Sequence, residues 1–177
     1  NRAYQGSKRQ PGSTFKILAA YAPALDSCDK TLATTIDDEP YTLKSGQVLR
    51  NANKQYSGTT TLREGIKRSI NVVAVKLSDE ITQELGYEYC QKFGISTLVK
   101  NKTINGKVFD DSTSQTLALG GITEGVYNYE MCAAYATIAN GGEYNKPTLY
   151  SKVVDHDGNV LLDGTGESHT VIKDSTA

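Results

Sequence analysis

Residues 9–25 read RQPGSTFKILAAYAPAL. A Pro-Gly turn runs into an apolar stretch in which Phe15, Leu18, Ala22 and Leu25 recur at helical spacing. Ser13 stands at the entry and Lys16 follows one turn later. Two readings compete for that serine. As an N-cap it fills the commonest role of a serine behind a turn. As a nucleophile it needs a base to take its proton. Residues i and i+3 share a helix face, so the spacing puts the Lys16 amine near the Ser13 hydroxyl. A lysine acts as base only when burial or its neighbours bring its pKa towards neutrality. Phe15, Ile17 and Leu18 offer apolar surroundings, and the helix start offers free backbone N–H groups where an oxyanion must be held. Ser-x-x-Lys alone is a common string and decides nothing.

The decision comes from residues 63–77, REGIKRSINVVAVKL, where Ser69-Ile70-Asn71 lies between two helical segments. Taken singly, Ser69 reads as a helix cap and Asn71 as a polar turn residue. In this order, and in the settings RQPGSTFK and RSINVVAVKL, the two motifs make one catalytic constellation.

The rest of the chain is ordinary globular material. Its 177 residues are 38% hydrophobic and 22% charged, enough for a real core. A net charge of −1 gives no basic excess for nucleic acid, and Lys8 and Arg9 read as a solvated loop. No apolar run approaches the ~20 residues of a membrane span, and no signal peptide pattern is present, so the chain is expected to be a soluble piece. Cys28, Cys90 and Cys132 are far apart, with no spacing that suits zinc or argues for a disulfide. Cys90 and Cys132 read as small core residues. His156 and His169 lack a partner motif and read as solvent-exposed.

Residues 26–58 are loop-rich, with short strands at most. Residues 61–69, TLREGIKRS, open with a Thr61/Glu64 capping box. Residues 71–86 and 87–94 continue helical, each closed by a glycine, Gly86 and Gly94. INGKVF at 104–109 is a tight turn, and the helix of 128–142 stops at Asn140-Gly141-Gly142. Residues 150–163, YSKVVDHDGNVLLD, alternate around Asp157-Gly158 as a hairpin. Asp155 and Asp157 lack the further ligands of a calcium loop and belong to that turn.

With both motifs in hand, the chain resembles the transpeptidase domain of penicillin-binding proteins, most closely the large bifunctional class A enzymes. TTTLREGIKRSINVVAVKL (59–77), LALGGITEGVYNYEMCAAYATIANGGEYNKP (117–147) and KVVDHDGNVLL (152–162) resemble the family's segments in the family's order, and the likeness runs over roughly residues 8–165. The resemblance implies an α+β parent fold, an antiparallel sheet with a helical subdomain. It implies that Ser13 attacks the penultimate D-Ala carbonyl of a peptidoglycan stem peptide, with Lys16 as base, Ser69 relaying a proton to the leaving D-Ala, and Asn71 binding the substrate amide. β-Lactams would be captured by the same serine. No cofactor and no metal is implied, and the parent would work on the extracytoplasmic side of a bacterial membrane.

The family's third motif, Lys-Thr/Ser-Gly on a strand, is absent after Ser69. Lys44-Ser45-Gly46 precedes Ser69 and reads as a chance match. The expectation is therefore a partial transpeptidase domain over 1–177: mainly α-helical with a late β-hairpin, lacking most of the sheet and nearly inactive unless a second polypeptide, such as the remainder of its own domain, supplies it. The Glu-x-x-Leu-Asn string of class A β-lactamases is missing, and Ile70 stands where they carry Asp. A D,D-carboxypeptidase and a non-catalytic β-lactam or muropeptide sensor, or a scaffold, stay open as alternatives.

Overall fold

The computed structural model describes residues 6–177. The stretch after Pro11 begins with a 3-10 turn, Gly12–Thr14, widens into a π-helical segment, Ile17–Tyr21, and ends as helix α1, Ala22–Ser27. It is apolar nearly all round, and a helix of that kind is buried. Phe15, Leu18, Ala19 and Ala22 enter one core with Phe93, Ile95, Leu117 and Ala134. Ala20, Tyr21 and Ala24 enter a second core with Leu62, Val72, Val73 and Leu77. This helix is the wall between two cores, and Lys16 is the one charged side chain buried within it.

Strand β1, Thr35–Asp38, pairs antiparallel with β4, Gly58–Thr61, and between them β2, Tyr41–Thr42, pairs with β3, Val48–Leu49. Lys44-Ser45-Gly46 forms the turn of that inner hairpin and lies on no strand, with Gly46 N–H donating to the Leu43 carbonyl at 2.8 Å. Helix α2, Leu62–Lys67, is capped as expected: Thr61 accepts from Glu64 N–H at 3.3 Å. Helix α3, Asn71–Ile81, and helix α4, Gln83–Lys92, replace the single helix expected over 71–86. The break is Thr82, at φ +75°, whose hydroxyl caps α4 by accepting from Leu85 N–H. Gly86 is consequently no terminator. It sits inside α4, where a Cβ would come 2.2 Å from the Ala19 carbonyl oxygen, and its bare backbone lets α4 lie against the helical wall.

Strands β5, Lys102–Ile104, and β6, Lys107–Phe109, form a hairpin about Asn105-Gly106, both at positive φ. Helix α5, Asn128–Ala139, stops at Asn140-Gly141-Gly142. Strand β7, Glu143–Asn145, pairs with β10, Ser168–Thr170, and β8, Lys152–Val154, with β9, Val160–Asp163, in the expected late hairpin. Asp155 accepts from the Asp157 and Asn159 N–H groups in its turn.

The α+β class holds, with antiparallel strand pairs beyond the one late hairpin: five two-stranded sheets among the described residues. Short strands scattered among loop residues carry too little alternation to show in a sequence. Two local readings change, and a third gains contacts. Cys132 is exposed on α5, because the helix turns that position away from the core that takes Cys90. Lys8 pairs with Glu124, and Arg9 forms a β-bridge with Val126. His169 is exposed yet engaged, with Nε2 2.8 Å from the Lys92 carbonyl and its ring tilted on Tyr144.

Candidate active site

Loop residues 120–126 hold the Ser13 turn from one side. Arg9 and Val126 exchange backbone hydrogen bonds at 2.8 and 2.9 Å, and Gln10 donates to the Ile122 carbonyl and accepts from its N–H. A Cβ on Gly120 would lie 2.3 Å from the Gly12 carbonyl oxygen, so only glycine, here at φ +70°, allows that approach. From the other side the Tyr135 hydroxyl of α5 donates to the Thr14 carbonyl at 2.7 Å. The backbone is clamped, while Ser13 itself is exposed and its hydroxyl makes no hydrogen bond among the described residues. The helix entry is capped by no side chain, which removes the N-cap reading of Ser13.

Lys16 is 2% exposed. Its ammonium donates to the Ser69 carbonyl at 2.6 Å, the Ser69 hydroxyl at 3.0 Å and Asn71 Oδ1 at 2.7 Å. Three N–H donors and three acceptors close its hydrogen-bonding capacity. The amine bonds to the second motif, and no hydrogen bond joins it to the Ser13 hydroxyl among the described residues. All three acceptors are neutral, and burial in this apolar wall brings the lysine pKa down to about 8.

The second motif is a tight turn between α2 and α3. Ser69 has φ +54°, a left-handed conformation that costs a non-glycine residue about 1–2 kcal/mol. Its N–H donates to the Ile66 carbonyl and the Ile70 N–H to the Gly65 carbonyl, which hold that conformation. Asn71 donates from Nδ2 to the Arg50 carbonyl at 2.9 Å, and its own N–H donates to Asn51 Oδ1 at 3.0 Å.

Ser13, Lys16 and Ser69 thus line one cleft of about 280 Å³, with Thr14, Ile17, Tyr21, Ile66 and Tyr135, and Asn71 stands behind the lysine. Among the described residues no carboxylate lines it. Tyr21 lies at its wall, buried, its hydroxyl without a hydrogen-bond partner among the described residues and its pKa raised by burial. Arg50, Asn51 and Tyr135 went unread in the sequence because their roles arise from contacts far along the chain, with no local spacing to signal them. Among the described residues no group of side chains suits a metal ion, and no helix is long and apolar enough to cross a membrane.

Residues 1–177 match the family described as the penicillin binding protein transpeptidase domain. The chain is similar to penicillin-binding protein 1A of Clostridium tetani, at 34% identity over 96% of this chain and 22% of that protein. It spans about a fifth of the length of such curated relatives. Among solved structures it is similar to penicillin-binding protein 1A from Haemophilus influenzae, with a TM-score of 0.74 and 30% identity over 96% of this chain and 24% of that one. It is also similar to the PonA1 protein from Mycobacterium tuberculosis in complex with penicillin V, with a TM-score of 0.77 and 26% identity over 96% and 45% of the two chains. The chain belongs to the family of penicillin-binding protein transpeptidase domains, of the class A type.

Proposed function

We propose that this chain carries the acylation site of a peptidoglycan D,D-transpeptidase. Ser13 Oγ attacks the carbonyl carbon of the penultimate D-Ala in a stem peptide, and the amide bond to the terminal D-Ala breaks. The serine proton goes to Lys16 and travels by Ser69 Oγ to the departing amine. An amine of a neighbouring strand then attacks the acyl-serine, which forms the cross-link and frees Ser13. β-Lactams follow the first half of this course, acylating Ser13 as their ring amide opens.

One observation carries the reading: the only buried charged side chain in the helical wall is a lysine with its pKa near 8, bonded to Ser69 and Asn71 at the cleft that Ser13 lines. In its charged form Lys16 has no free lone pair and cannot accept a proton. Once it is neutral, a lone pair replaces one N–H. That lone pair can take the Ser13 proton, while an N–H kept on Ser69 Oγ at 3.0 Å can pass one on towards the departing amine. Asn71 Nδ2 keeps one N–H beyond its bond to Arg50 for a substrate carbonyl.

These residues are further proposed to be a partial domain of an extracytoplasmic parent. Full reactivity calls on a Lys-Thr/Ser-Gly strand supplied outside the 177 residues, because loss of an oxyanion donor alone costs on the order of 10²–10³ in rate. Intact mass after incubation with benzylpenicillin tests both parts, on this chain and on a longer polypeptide that includes the downstream strands. Gain of one penicillin on Ser13 by the longer polypeptide alone is the expected result. Acylation of the short chain at the same rate sinks the need for the strand, and modification of neither sinks the acylation site.

A further inference from the structure

We propose that Asn51, backed by Asp38, is a positioning residue that aims Asn71 at Lys16, an inference that rests on the acylation reading above. Helix α3 starts after Ile70, which has no side-chain acceptor for the helix's free N–H groups. Asn51 supplies it from 20 residues away: its Oδ1 accepts from Asn71 N–H at 3.0 Å and from Val72 N–H at 3.2 Å. Its Nδ2 donates to Asp38 Oδ1 at 2.7 Å and to the Gln55 carbonyl at 2.9 Å. Two donors and two acceptor positions are all in use, so the amide has one permitted orientation. Reversing it would set the NH₂ group against two N–H donors and the oxygen against two acceptors.

Asp38 fixes the far end. It is 1% exposed at the last position of β1, and its second oxygen accepts from Ser57 N–H at 2.8 Å. Both oxygens are thus engaged, and the β1–β4 pair is the anchor from which Asn51 is aimed. The residue before it completes the grip. The Arg50 carbonyl takes Asn71 Nδ2, which turns Asn71 Oδ1 the other way, towards the lysine. Two consecutive loop residues therefore hold Asn71 by backbone and by side chain. The line Asp38–Asn51–Asn71–Lys16 is continuous hydrogen bonding from a strand end to the base.

A cap that merely stabilised α3 would change the melting temperature and leave the chemistry of the folded protein alone. A positioning residue changes the acylation rate, and only through Asn71. The test is benzylpenicillin acylation of Ser13 in the longer polypeptide, with Asn51→Ala, Asn71→Ala and the double variant. Asn51→Ala is expected to slow acylation about ten- to a hundred-fold, and the double variant to be no slower than Asn71→Ala alone. A double loss equal to the product of the single losses overturns the proposal, as does normal acylation of Asn51→Ala. Should Asn51→Ala not fold, Asn51→Asp keeps the acceptor for α3 but sets a carboxylate against Asp38. Its loss of rate is expected to be recovered to within about three-fold by adding Asp38→Asn, which donates the same bond from the other side. Absence of that recovery in variants that melt like the parent also overturns it. A parent protein that is not acylated at Ser13 sinks the acylation reading itself, and this inference with it.

Discussion

The turn that carries Ser13 leaves its hydroxyl exposed and unbonded, whereas the turn that carries Ser69 has its N–H, carbonyl and hydroxyl all engaged. Both are serine turns at the start of a helical stretch and both face one cleft. The first has its backbone clamped by residues 120–126 and its side chain free. The second is held in a left-handed conformation, and every polar group it offers turns towards Lys16 or its own backbone. On the proposed function, freedom sits on the atom that would form a bond, and constraint sits on the atoms around the lysine that would act as base.

If that division is right, Ser13→Ala has the largest effect on chemistry and one of the smallest on folding. Benzylpenicillin labelling followed by mass should fall to nothing, while the melting temperature moves by no more than about 1 °C, since an exposed hydroxyl without a partner contributes little. A large drop in melting temperature would show the serine to be structural after all.

Replacements at Ser69 sharpen the contrast. Ser69→Ala and Ser69→Gly both remove the relay hydroxyl and should slow acylation by a similar factor, about 10²–10⁴ for a lost proton-transfer partner. They should differ in stability, because glycine accepts φ +54° and alanine does not. The glycine variant is expected to be firmer by about 1 kcal/mol, roughly 2–4 °C in melting temperature for a chain of this size. Equal melting points would mean the turn relaxes away from its left-handed conformation.

The pH profile probes the base. Acylation should rise with pH through about 8 and then level off, as Lys16 gives up the proton that blocks it. Stability should follow the same residue in the same direction. The folded lysine titrates near 8 and the unfolded one near its ordinary 10.5, so between those values the unfolded chain binds more protons. The contribution of Lys16 to stability therefore improves as pH rises from about 8 to 10.5, and below pH 8 its burial is a constant cost. A Lys16→Met variant should lose that slope in denaturant titrations.

The mildest change belongs to Tyr21. Its buried hydroxyl lacks a partner among the described residues, so Tyr21→Phe removes a polar atom that earns no bond and should leave stability equal or higher by up to about 1 kcal/mol. A loss of more than that would reveal a bonded hydroxyl in solution.

What could be read from the sequence was what lies close along the chain. Ser13 with Lys16, and Ser69 with Asn71, are each within three residues, so their chemistry shows as strings. The Thr61 cap and the Asn105-Gly106 and Asp157-Gly158 turns are equally local. Thr82 was missed because nothing in SDEITQEL breaks a helix; a left-handed threonine there follows from packing. A glycine behind a helical run usually means a stop, but the role of Gly86 is defined by Ala19, far away on another helix. Asn51 is one asparagine in a polar loop, and only the fold brings it to the start of α3.

The π-helical segment Ile17–Tyr21 gives the site its own mechanical setting. The Ala22 N–H reaches back five residues to Ile17, and such a turn holds about one residue more than an α turn. Each residue of an α-helix advances about 100°. The serine and lysine are therefore phased about that far from where an unbroken helix would put them relative to Ala22–Ser27. A deletion of one residue between Ile17 and Tyr21 would let the helix close into regular α geometry with its apolar character intact. The same deletion would swing Ser13 and Lys16 out of line with Ser69. In this chain one surplus residue, carrying no functional group of its own, works as the dial that sets Ser13 and Lys16 against Ser69.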